Sequence, residues 1–500
     1  MTDNKKIKEL IDIRVSKLQN LIDNKINPYP HNFDLTHPIE DILENESILI
    51  AENNSISTTG RIISLRNMGK AAFFNIQGNF KKVQCYLSHK NVNQDEEEYN
   101  ILLNSIDIGD IVGIKGEMFY TKTNEYTLRV KNFSILSKSI RPLPNLKEKD
   151  GEAFNSFDDK ELRYRHRHLD FIANPDNKNI FILRHKIVNS FRNFLNDKEY
   201  IEAETPVLQP IYGGANARPF ITHHHTLDEK LYLRIAVELY LKRLIIGGFD
   251  KIYEISKNFR NEGMDRNHNP EFTMLEFYQS YSDVYDMMNL TEEMIRKVSS
   301  SISLEKFNFD NNEINFSKSF TRITLNELFE KEFKIKNLLF NEKELKRIAK
   351  KLSIDEALPY GAMVDKIFSL NIEPNLVQPT FVLDFPKAIS PLSKIKREQS
   401  EDVVERFELF IGGMEIANAF TELNDPIDQR ERFMSQEKLK AKGDAEAQML
   451  DENFLSAMEV GMPPTGGVGI GIDRIVMILT GQKSIKDVIL FPAMRTIKNS

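Results

Sequence analysis

The stretch "KIYEISKNFRNEGMDRNHNPEFTMLEFY", residues 251–278, decides the fold. Both ends are rich in the apolar and aromatic residues of β-strands, whereas the polar middle contains a glycine and a proline. The pattern predicts an antiparallel hairpin with a long charged bend. Alternation along the strands puts Arg260 on one face of the first strand, and Phe272, Glu276 and Tyr278 on one face of the second. If these faces coincide, the hairpin forms one wall of a cleft.

The bend of this hairpin suits an anionic ligand. An arginine at a strand end presents forked donors to a phosphate, and Arg266 and His268 in the loop extend that reach to further phosphate oxygens. Phe272 offers a ring on which a purine stacks. Taken alone, the same stretch is also compatible with an exposed, charged surface hairpin.

The stretch "RFELFIGGMEIANAFTELNDP", residues 406–426, adds carboxylates to apolar strands. Glu408 and Glu415 flank a Gly-Gly break, and Asn418 and Glu422 alternate with apolar residues after it. Buried carboxylates are unfavourable unless a cation compensates them. Mg²⁺ takes one or two carboxylates together with substrate phosphates, so we interpret Glu408 and Glu415 as its ligands. Salt-bridged structural acids are the alternative.

A third stretch, "GGVGIGIDRIVMIL" at residues 466–479, combines glycines with an apolar run. It is similar to a dinucleotide-binding fingerprint, but such a match alone is weak, and this one ends in Asp473 and Arg474 at the start of a helix. We expect the glycines to admit a ligand close to the backbone and Arg474 to be a second phosphate clamp. The alternative for Arg474 is a structural ion pair, to Asp473 or elsewhere.

Composition limits the class of protein. The 500 residues are 41% hydrophobic and suffice for about two to four domains. The single cysteine, Cys85, excludes a disulfide framework, and no secretory h-region or long apolar run is present, which predicts a cytosolic setting. A net charge of −7 argues weakly against a general nucleic-acid coat. Consecutive strand residues point to opposite faces, so "THHHT", residues 222–226, predicts surface histidines instead of a zinc site.

The chain divides into four predicted segments. They are a helical lead-in over residues 1–55, a barrel over 56–140, a Pro-bearing charged linker over 141–160, and a large domain over 161–500 with a helical insertion at about 292–375. Five short strands with a helix after the third match the OB-fold, with another small antiparallel barrel as the alternative. The large domain shows strands interrupted by long helices, which predicts an α+β fold with a mainly antiparallel sheet flanked by helices.

Together these stretches resemble the class II aminoacyl-tRNA synthetases, and in particular the lysyl-tRNA synthetases of subgroup IIb, which carry an N-terminal OB domain. "FRNEG" with "HNPEFTMLEFY" is similar to motif 2, "GGVGIGIDR" to motif 3, and "YIEAETPVLQP" to motif 1, the dimer-interface element with its Pro206. "LRYRHRHLD", "GGANARPF", "LYLRIAVELYLKRL" and "FPKAISPLSK" also follow the family's order, so the resemblance covers nearly the whole chain. The sequence departs from the family at residues 265–267 and at Val237, where proline is usual.

The resemblance implies a role for each matching residue. The residues implied to bind ATP are Arg260, Glu262, His268, Asn269, Phe272, Glu408 and Arg474, of which Arg260, Glu262 and Arg474 are also the implied catalytic residues. Those implied to bind lysine are Gly214, Glu238, Glu276, Tyr278, Asn418, Phe420, Glu422 and Gly469. Glu408 and Glu415 are the implied Mg²⁺ ligands, and Arg66, Phe73, Gln84 and Glu125 are implied to read the anticodon.

The implied reaction is the ATP-dependent activation of L-lysine to lysyl-adenylate and its transfer to the 3′ end of tRNA(Lys), by a cytoplasmic homodimer. Such chemistry needs positioning and charge neutralisation more than a nucleophile of the enzyme. Glu238, Glu276 and Glu422 favour an ammonium ligand and repel aspartate. The rivals are a lysyltransferase that modifies a protein, which would lack the OB domain, and a silent RNA-binding regulator, which would have lost the ATP site.

Overall fold

The computed structural model describes residues 2–52, 54–69, 71–144, 146–149, 152–155, 157–397, 402–441 and 448–496. The chain divides into two compact units, residues 1–178 and 179–500. Residues 145, 150, 151 and 156 of the predicted linker lie outside the described residues. The domain limits drawn from the sequence stay a prediction.

The first unit contains a closed five-stranded barrel with helices before, within and after it. Its strands are β1 (Ile56–Asn67), β2 (Ala71–Gln77), β3 (Lys82–Ser88), β4 (Ile111–Tyr120) and β5 (Tyr126–Ser137), followed by a small hairpin of β6 (Leu146–Lys149) and β7 (Glu152–Asn155). Its helices are α1 (Thr2–Asp23), α2 (Ile39–Glu44), α3 (Glu46–Glu52), α4 (Glu96–Ser105), α5 (Lys160–Arg165) and α6 (Arg167–Ala173).

The barrel has the strand order β1-β2-β3-β5-β4, with α4 after the third strand. Alternate residues of β2 and β3 fill its interior, among them Phe74, Ile76, Val83 and Cys85, all with 2% or less of their surface exposed. Their neighbours point outward and are half-buried or exposed. The predicted OB-fold is therefore confirmed, and the opposite parity of each strand is available to a ligand.

The second unit is built on one eight-stranded sheet. The strands of this unit are β8 (Ile201–Glu202), β9 (Leu208–Gln209), β10 (Ile221–His224), β11 (Glu229–Leu233), β12 (Lys251–Phe259), β13 (Glu271–Ser280), β14 (Lys306–Phe309), β15 (Asn312–Asn315), β16 (Thr321–Thr324), β17 (Thr380–Pro386), β18 (Val403–Ile411), β19 (Met414–Thr421) and β20 (Thr465–Gly471). Its helices are α7 (Lys178–Asp197), α8 (Glu238–Ile246), α9 (Val284–Ser301), α10 (Leu325–Phe333), α11 (Glu342–Lys351), α12 (Tyr360–Asn371), α13 (Pro426–Ala441), α14 (Glu452–Glu459), α15 (Ile472–Thr480) and α16 (Ile485–Val488).

The sheet has the order β16-β17-β18-β19-β20-β13-β12-β8 and is antiparallel except at its two outer pairs. This is the predicted α+β architecture with a mainly antiparallel sheet. Odd-numbered residues of β13, such as Leu275 and Phe277, pack into the main core with helices α7, α9 and α15. Even-numbered residues of the same strand point away from that core, so one face of the sheet is free to carry a site.

The segment predicted as a helical insertion contains α10, α11 and α12 around a separate core that includes Leu328, Phe329 and Phe368. It also contains three short strands, of which β14 and β15 form a hairpin and β16 joins the main sheet. None of the helices in the described ranges is long and apolar enough to cross a membrane.

Candidate active site

The hairpin β12–β13 pairs as the sequence predicts, with Glu254 opposite Glu276 and Asn258 opposite Phe272. The next strands continue these rows across the sheet. Glu276 lies opposite Gly469, which in turn lies opposite Asn418. Residues directly opposite each other on antiparallel strands point to the same face. One row therefore joins a carboxylate, a glycine and an amide that are far apart in the chain.

A second row lies two residues along the strands. Tyr278 is opposite Gly467, and Gly467 is opposite Phe420. The two rows form the floor of a cavity of about 290 Å³. The predicted residues that line it are Gly214, Glu238, Arg260, Glu262, His268, Asn269, Phe272, Glu276, Tyr278, Glu415, Asn418, Phe420, Gly469 and Arg474. The lining of this cavity does not include Glu408 or Glu422.

Arg260 is prepared to bind an anion. It follows the last residue of β12, its guanidinium carbon lies 5.1 Å from the centre of the Phe272 ring, and its Nε is buried without a hydrogen-bond partner among the described residues. Burial lowers the pKa of Arg260, and the nearby carboxylates of Glu262, Glu415 and Glu276 oppose that shift. A buried cation with a free donor gains most from a ligand that brings both a charge and an acceptor.

The bend after Arg260 is held by Asp265, one of the residues at which the sequence departs from the family. Its carboxylate accepts hydrogen bonds from the backbone N–H groups of Asn267 and His268 and lies 2.8 Å from Nδ1 of His268. Burial raises the pKa of Asp265, but these hydrogen bonds outweigh it and keep the pKa below its usual value. The turn therefore aims His268 into the cavity.

The protonation of His268 follows from its second contact. Nη2 of Arg474 lies 3.1 Å from Nε2 of His268, and because a guanidinium only donates, Nε2 accepts. In this tautomer Nδ1 bears the hydrogen and donates a hydrogen bond to the carboxylate of Asp265. The side chain of Asn269 is also engaged, since its amide nitrogen donates to the backbone oxygen of Glu271 and its amide oxygen accepts from the N–H of Ala493.

Arg474 and Asp473 have separate partners. Nη1 of Arg474 donates to the backbone oxygen of Glu415 at 2.8 Å and to its carboxylate at 3.2 Å. Asp473 is paired with Arg184 at 2.6 Å and accepts from the N–H of Thr273. The structural ion pair considered for Arg474 is thus formed with Glu415 and not with Asp473. Because Arg474 also lines the cavity, this pair leaves it facing the same space as Arg260.

A bulge brings the two predicted metal ligands to one face. The register between β18 and β19 shifts between Leu409 and Phe410, so that Phe410 lies opposite Glu415 while Glu408 lies opposite Asn418. One inserted residue reverses the parity of a strand. Glu415, which has the opposite parity to Asn418 in the sequence, consequently points to the same side as Glu408.

Glu408 and Glu415 line a second cavity of about 280 Å³, which shares Asn216, Ile389, Arg406 and Glu415 with the first. Burial raises the pKa of Glu408 to about 8, with the charge of Arg406 opposing and that of Glu415 adding to the rise. Each carboxylate uses one oxygen for an arginine, Glu408 for Arg406 at 2.5 Å and Glu415 for Arg474. Among the described residues no group of three or more metal-ligating side chains occurs. The pair fits Mg²⁺, which completes its shell with phosphates and water.

Three buried carboxylates lie close together, and two of them, Glu238 and Glu276, line the cavity. Glu238 opens α8, Glu276 lies on β13, and Glu422 follows β19; all have 5% or less of their surface exposed. Burial raises the pKa of Glu276 to about 7, the charge of Glu238 adds to the rise, and hydrogen bonds from Tyr278 and from the N–H of Val237 oppose it. Burial likewise raises the pKa of Glu422 to about 8.

Gly467 connects Glu422 with the cavity. A Cβ atom built on Gly467 would lie 2.1 Å from Oε1 of Glu422 and 2.4 Å from the Tyr278 ring, so no side chain fits there. Gly467 lines the cavity, whereas Glu422 is fully buried and is not among the lining residues. That oxygen accepts no hydrogen bond from the described residues. Because no side chain occupies this position, the Glu422 carboxylate packs directly against the floor of the cavity.

Two residues lie next to Glu238 in the structure, namely Gly214 and Val237. Gly214 has φ +85°, a conformation that favours glycine, and its N–H donates to Gln448. Val237 precedes α8 and donates to Oε1 of Glu276 at 3.5 Å, a hydrogen bond that the family's usual proline would lack. The helix still begins at Glu238, so the departure at Val237 leaves this acid in the cavity wall.

The residues predicted to read an anticodon lie on the outer face of the barrel. Arg66 is opposite Phe73, Phe73 is opposite Tyr86, and the two rings are 4.8 Å apart. Gln84 accepts from the hydroxyl of Thr127, and Glu125 is exposed in the turn before β5. Three further residues extend the same face, namely Tyr86, Phe119 and Arg129, whose guanidinium lies 4.3 Å from the Phe119 ring centre.

Several site residues were not predicted from the sequence. Arg406 joins the two cavities, since it donates to Asn418, Glu408 and the hydroxyl of Ser390. It stands two residues before Glu408, a spacing that puts both on one face of a strand and was readable in the sequence. Asp265, Gly467 and Lys242 were missed as well. "THHHT" lies on the exposed hairpin β10–β11, where His223 pairs with Asp228.

Comparisons with known proteins show the family to which this chain is similar. Residues 159–495 match the family model of class II tRNA synthetases (D, K and N), and residues 56–136 match that of the OB-fold nucleic acid binding domain. A lysine–tRNA ligase from Carboxydothermus hydrogenoformans is 46% identical over 500 residues, which cover 99% of each chain. One from Pelotomaculum thermopropionicum is 48% identical over 98% of this chain and 95% of its own, and one from Porphyromonas gingivalis is 47% identical over 97% and 85%.

Proposed function

The chain belongs to the class II tRNA synthetases (D, K and N) and activates lysine with ATP for the charging of tRNA, and we propose which of its residues carry each part of this activity. The observation that carries the proposal is a single cavity lined by the cations Arg260 and Arg474 and by the buried acids Glu238 and Glu276, with Glu422 buried beside these acids. Lysine brings a carboxylate to the cations and ammonium groups to the acids.

At the cationic end, Arg260 binds the α-phosphate of ATP and Phe272 stacks on the adenine. Glu262 contacts the adenine side, while His268 and Arg474 bind the rest of the triphosphate, joined by Asn269. The unpaired Nε of Arg260 supports this assignment. As the lysine carboxylate attacks the α-phosphate, negative charge grows on the phosphoryl oxygens, and fixed donors stabilise it more strongly than water does.

The two acids of the second cavity, Glu408 and Glu415, hold Mg²⁺ in this proposal. Bound there, Mg²⁺ supplies charge neutralisation for the phosphate oxygens. Arg406 orients Glu408 through its hydrogen bond, and Arg474 orients Glu415 in the same way. In both pairs the arginine holds one carboxylate oxygen, which leaves the other oxygen of Glu408 and of Glu415 for a cation.

At the acidic end, Glu238, Glu276 and Glu422 bind the ammonium groups of lysine. Tyr278 donates to Oε2 of Glu276 at 3.0 Å and so fixes that carboxylate. The remaining proposed contacts to lysine are Gly214, Asn418, Phe420 and Gly469. A neutral amino acid would leave the acids unpaired, which costs a factor on the order of 10⁴ in discrimination for polar sites of this kind.

The substrate assignment is tested by ATP–pyrophosphate exchange with each of the standard amino acids in turn. We expect lysine alone to support rapid exchange. Exchange with aspartate or asparagine instead of lysine would overturn the substrate, and exchange with none would revive the silent regulator as the function.

The pH dependence of lysine binding follows from the acids. Burial raises the pKa of Glu276 to about 7 and that of Glu422 to about 8, so below pH 7 both carry protons that an ammonium ligand must displace. The groups that face Glu276 or Glu422 are Glu238, Lys242, Tyr278 and Arg260, and Arg406 in turn faces Glu238.

We therefore expect the KM for lysine to fall at least about tenfold between pH 6 and pH 8. It should rise again as the side-chain amine of the substrate lysine, with a pKa of about 10.4, loses its proton. Calorimetry in buffers with different ionisation enthalpies should show that lysine binding releases protons at pH 7. A KM for lysine that is constant from pH 6 to pH 8 would contradict the assignment of these acids.

The outer face of the barrel reads the anticodon through Arg66, Phe73, Gln84 and Glu125. Stacking of splayed bases on aromatic rings contributes about 1–3 kcal/mol per base, and the Phe73–Tyr86 pair offers such a surface. Phe73→Ala should lower kcat/KM for tRNA charging about tenfold or more and leave pyrophosphate exchange unchanged. Phe80→Ala, at an edge of the barrel outside this face, is the control. Equal charging by both variants would remove Phe73 from the site.

The assembly is a cytoplasmic homodimer in this proposal. Apolar side chains on the motif 1 segment support it, since Ile201, Val207 and Leu208 are 41–52% exposed beside a sheet edge. Exposed apolar side chains at an unpaired edge favour burial against a second copy. Sedimentation equilibrium measures the mass in solution, and a monomer at micromolar concentration would contradict the dimer.

A further inference from the structure

A lysine of the chain itself lies among the acids of the substrate cavity. Lys242 is four residues after Glu238 on α8, one turn along the same helix face, and its side chain has no exposed surface. Its Nζ donates to Oε1 of Glu238 at 2.5 Å and contacts Oε2 of Glu422. It also lies 5.9 Å from the centre of the Phe420 ring. One ammonium group therefore bridges two of the three acids assigned to substrate recognition.

Lys242 is charged in this position. Burial alone lowers the pKa of Lys242, but the carboxylates of Glu238 and Glu422 outweigh it and raise the pKa above its usual value. With all three acids ionised, the cluster of Glu238, Glu276, Glu422 and Lys242 carries two net negative charges. Free lysine has two ammonium groups, one on Cα and one at the end of its side chain, so the resident charge and the substrate charge match.

We propose that Lys242 is a specificity-determining residue, because it neutralises one of three buried acids and leaves two negative charges for the two ammonium groups of the substrate. The inference rests on the proposed function, since only a diamino acid brings two such groups. Lys242 also fixes the direction of Glu422 through Oε2, while Oε1 packs against Gly467 in the floor of the cavity.

The consequence of removing Lys242 differs from ordinary destabilisation. Three buried carboxylates without a resident cation repel one another and take up protons at neutral pH, so fewer of them are ionised when lysine arrives. The ATP end of the cavity is unaffected, because the partners of Lys242 are Glu238 and Glu422 alone among the ion pairs of the described residues. Lysine binding should suffer while nucleotide binding persists.

The test uses Lys242→Met and Lys242→Arg in the full-length enzyme, with initial rates of lysine-dependent pyrophosphate exchange from pH 6 to pH 10. For Lys242→Met we expect the KM for lysine to rise about thirtyfold or more at pH 7.5, with the KM for ATP within about threefold of the unchanged enzyme. The pH at which the KM for lysine is lowest should move upward by about one unit. Lys242→Arg keeps the charge and should retain the original pH profile.

A matched control exists in the barrel. Lys138 is also a fully buried lysine that bridges two carboxylates, Asp107 at 2.6 Å and Asp110 at 2.9 Å, but it lies outside the substrate cavity. Lys138→Met should lower the melting temperature and leave the KM for lysine and its pH profile unchanged. A general effect of removing a buried lysine would alter both variants alike.

A double variant covers the case in which Lys242→Met does not fold. Glu238→Gln with Lys242→Met removes an acid together with its cation and restores two net charges, so we expect it to bind lysine at least about tenfold better than the single variant, or to fold where the single variant fails. The inference would be overturned if the losses of lysine affinity from the two single changes were additive in the double variant. It would also be overturned by a folded Lys242→Met variant with an unchanged KM for lysine and an unchanged pH profile. Absence of lysine-dependent exchange in the unchanged enzyme would instead contradict the proposed function itself.

Discussion

Replacing Arg260 by methionine should lower the kcat for lysine-dependent pyrophosphate exchange about a thousandfold. The guanidinium is buried beside the Phe272 ring, and its Nε has no partner among the described residues, so it is free for a phosphate oxygen. Charge on the α-phosphate grows as the lysine carboxylate attacks. Methionine is unbranched, keeps the apolar stem of the side chain and removes the guanidinium with its charge and donors.

The measurement is steady-state exchange with separate determination of kcat and of the KM for ATP. An interaction that strengthens in the transition state appears in kcat, whereas uniform binding appears in KM alone. Arg430→Met is the control, because Arg430 lies on α13 and pairs with Glu452 and Glu459 away from the cavity. A loss confined to the KM for ATP, with kcat within about tenfold, would contradict the catalytic role of Arg260.

Glu276→Gln should raise the KM for lysine about a hundredfold at pH 8 and leave the KM for ATP within about twofold, since a charged hydrogen bond contributes about 1.5–3 kcal/mol and leaving a charge unpaired costs more. Glu276 is 4% exposed and accepts from Tyr278, so a ligand ammonium completes its partners. Glutamine keeps the size of the side chain and removes its charge.

Glu254 provides a matched control for this change. It lies directly opposite Glu276 on β12 and is equally buried, but its two oxygens are occupied by Arg234 at 2.7 Å and by the hydroxyl of Thr205 at 2.8 Å. Glu254→Gln should lower the melting temperature without changing the KM for lysine. Equal losses of lysine and ATP affinity in Glu276→Gln would mean that this acid does not face the ammonium.

The hairpin was predictable because strand alternation is strict where one face is buried. Leu275 and Phe277 pack into the core, so Glu276 and Tyr278 must point the other way, and the glycines of β20 could be expected beside them. The barrel followed from the spacing of its strands and the helix after the third. Both inferences need only local periodicity.

The bulge in β19 was not predictable, because an inserted residue leaves no mark in the alternation of "GGMEIANAF". It decides that Glu415 joins Glu408 on one face. The hydrogen bonds of the Asn269 side chain with the backbone of Glu271 and Ala493 were not predictable either, because Ala493 lies 224 residues away along the chain. Tertiary contacts of this kind have no signature in local sequence.

The position of Glu422 was only partly predictable from the sequence. Its parity with Asn418 and Phe420 was readable, and it lies on the expected side of the sheet, but it packs against Gly467 and is not among the residues that line the cavity. Lys242 was readable as well, because four residues separate it from Glu238 in a helical segment. The four-residue spacing was visible in the sequence, but only the structure shows that Lys242 also contacts Glu422.

Calorimetric binding of three ligands to the unchanged enzyme tests the central claim most directly, namely that the acidic end of the cavity pairs with both ammonium groups of lysine. The ligands are lysine, norleucine, which lacks the terminal ammonium, and 6-aminohexanoate, which lacks the one on Cα. A ligand that lacks either ammonium group leaves a buried carboxylate unpaired. We therefore expect norleucine and 6-aminohexanoate to bind at least about a hundredfold more weakly than lysine at pH 8. Binding of norleucine within tenfold of lysine would contradict the account.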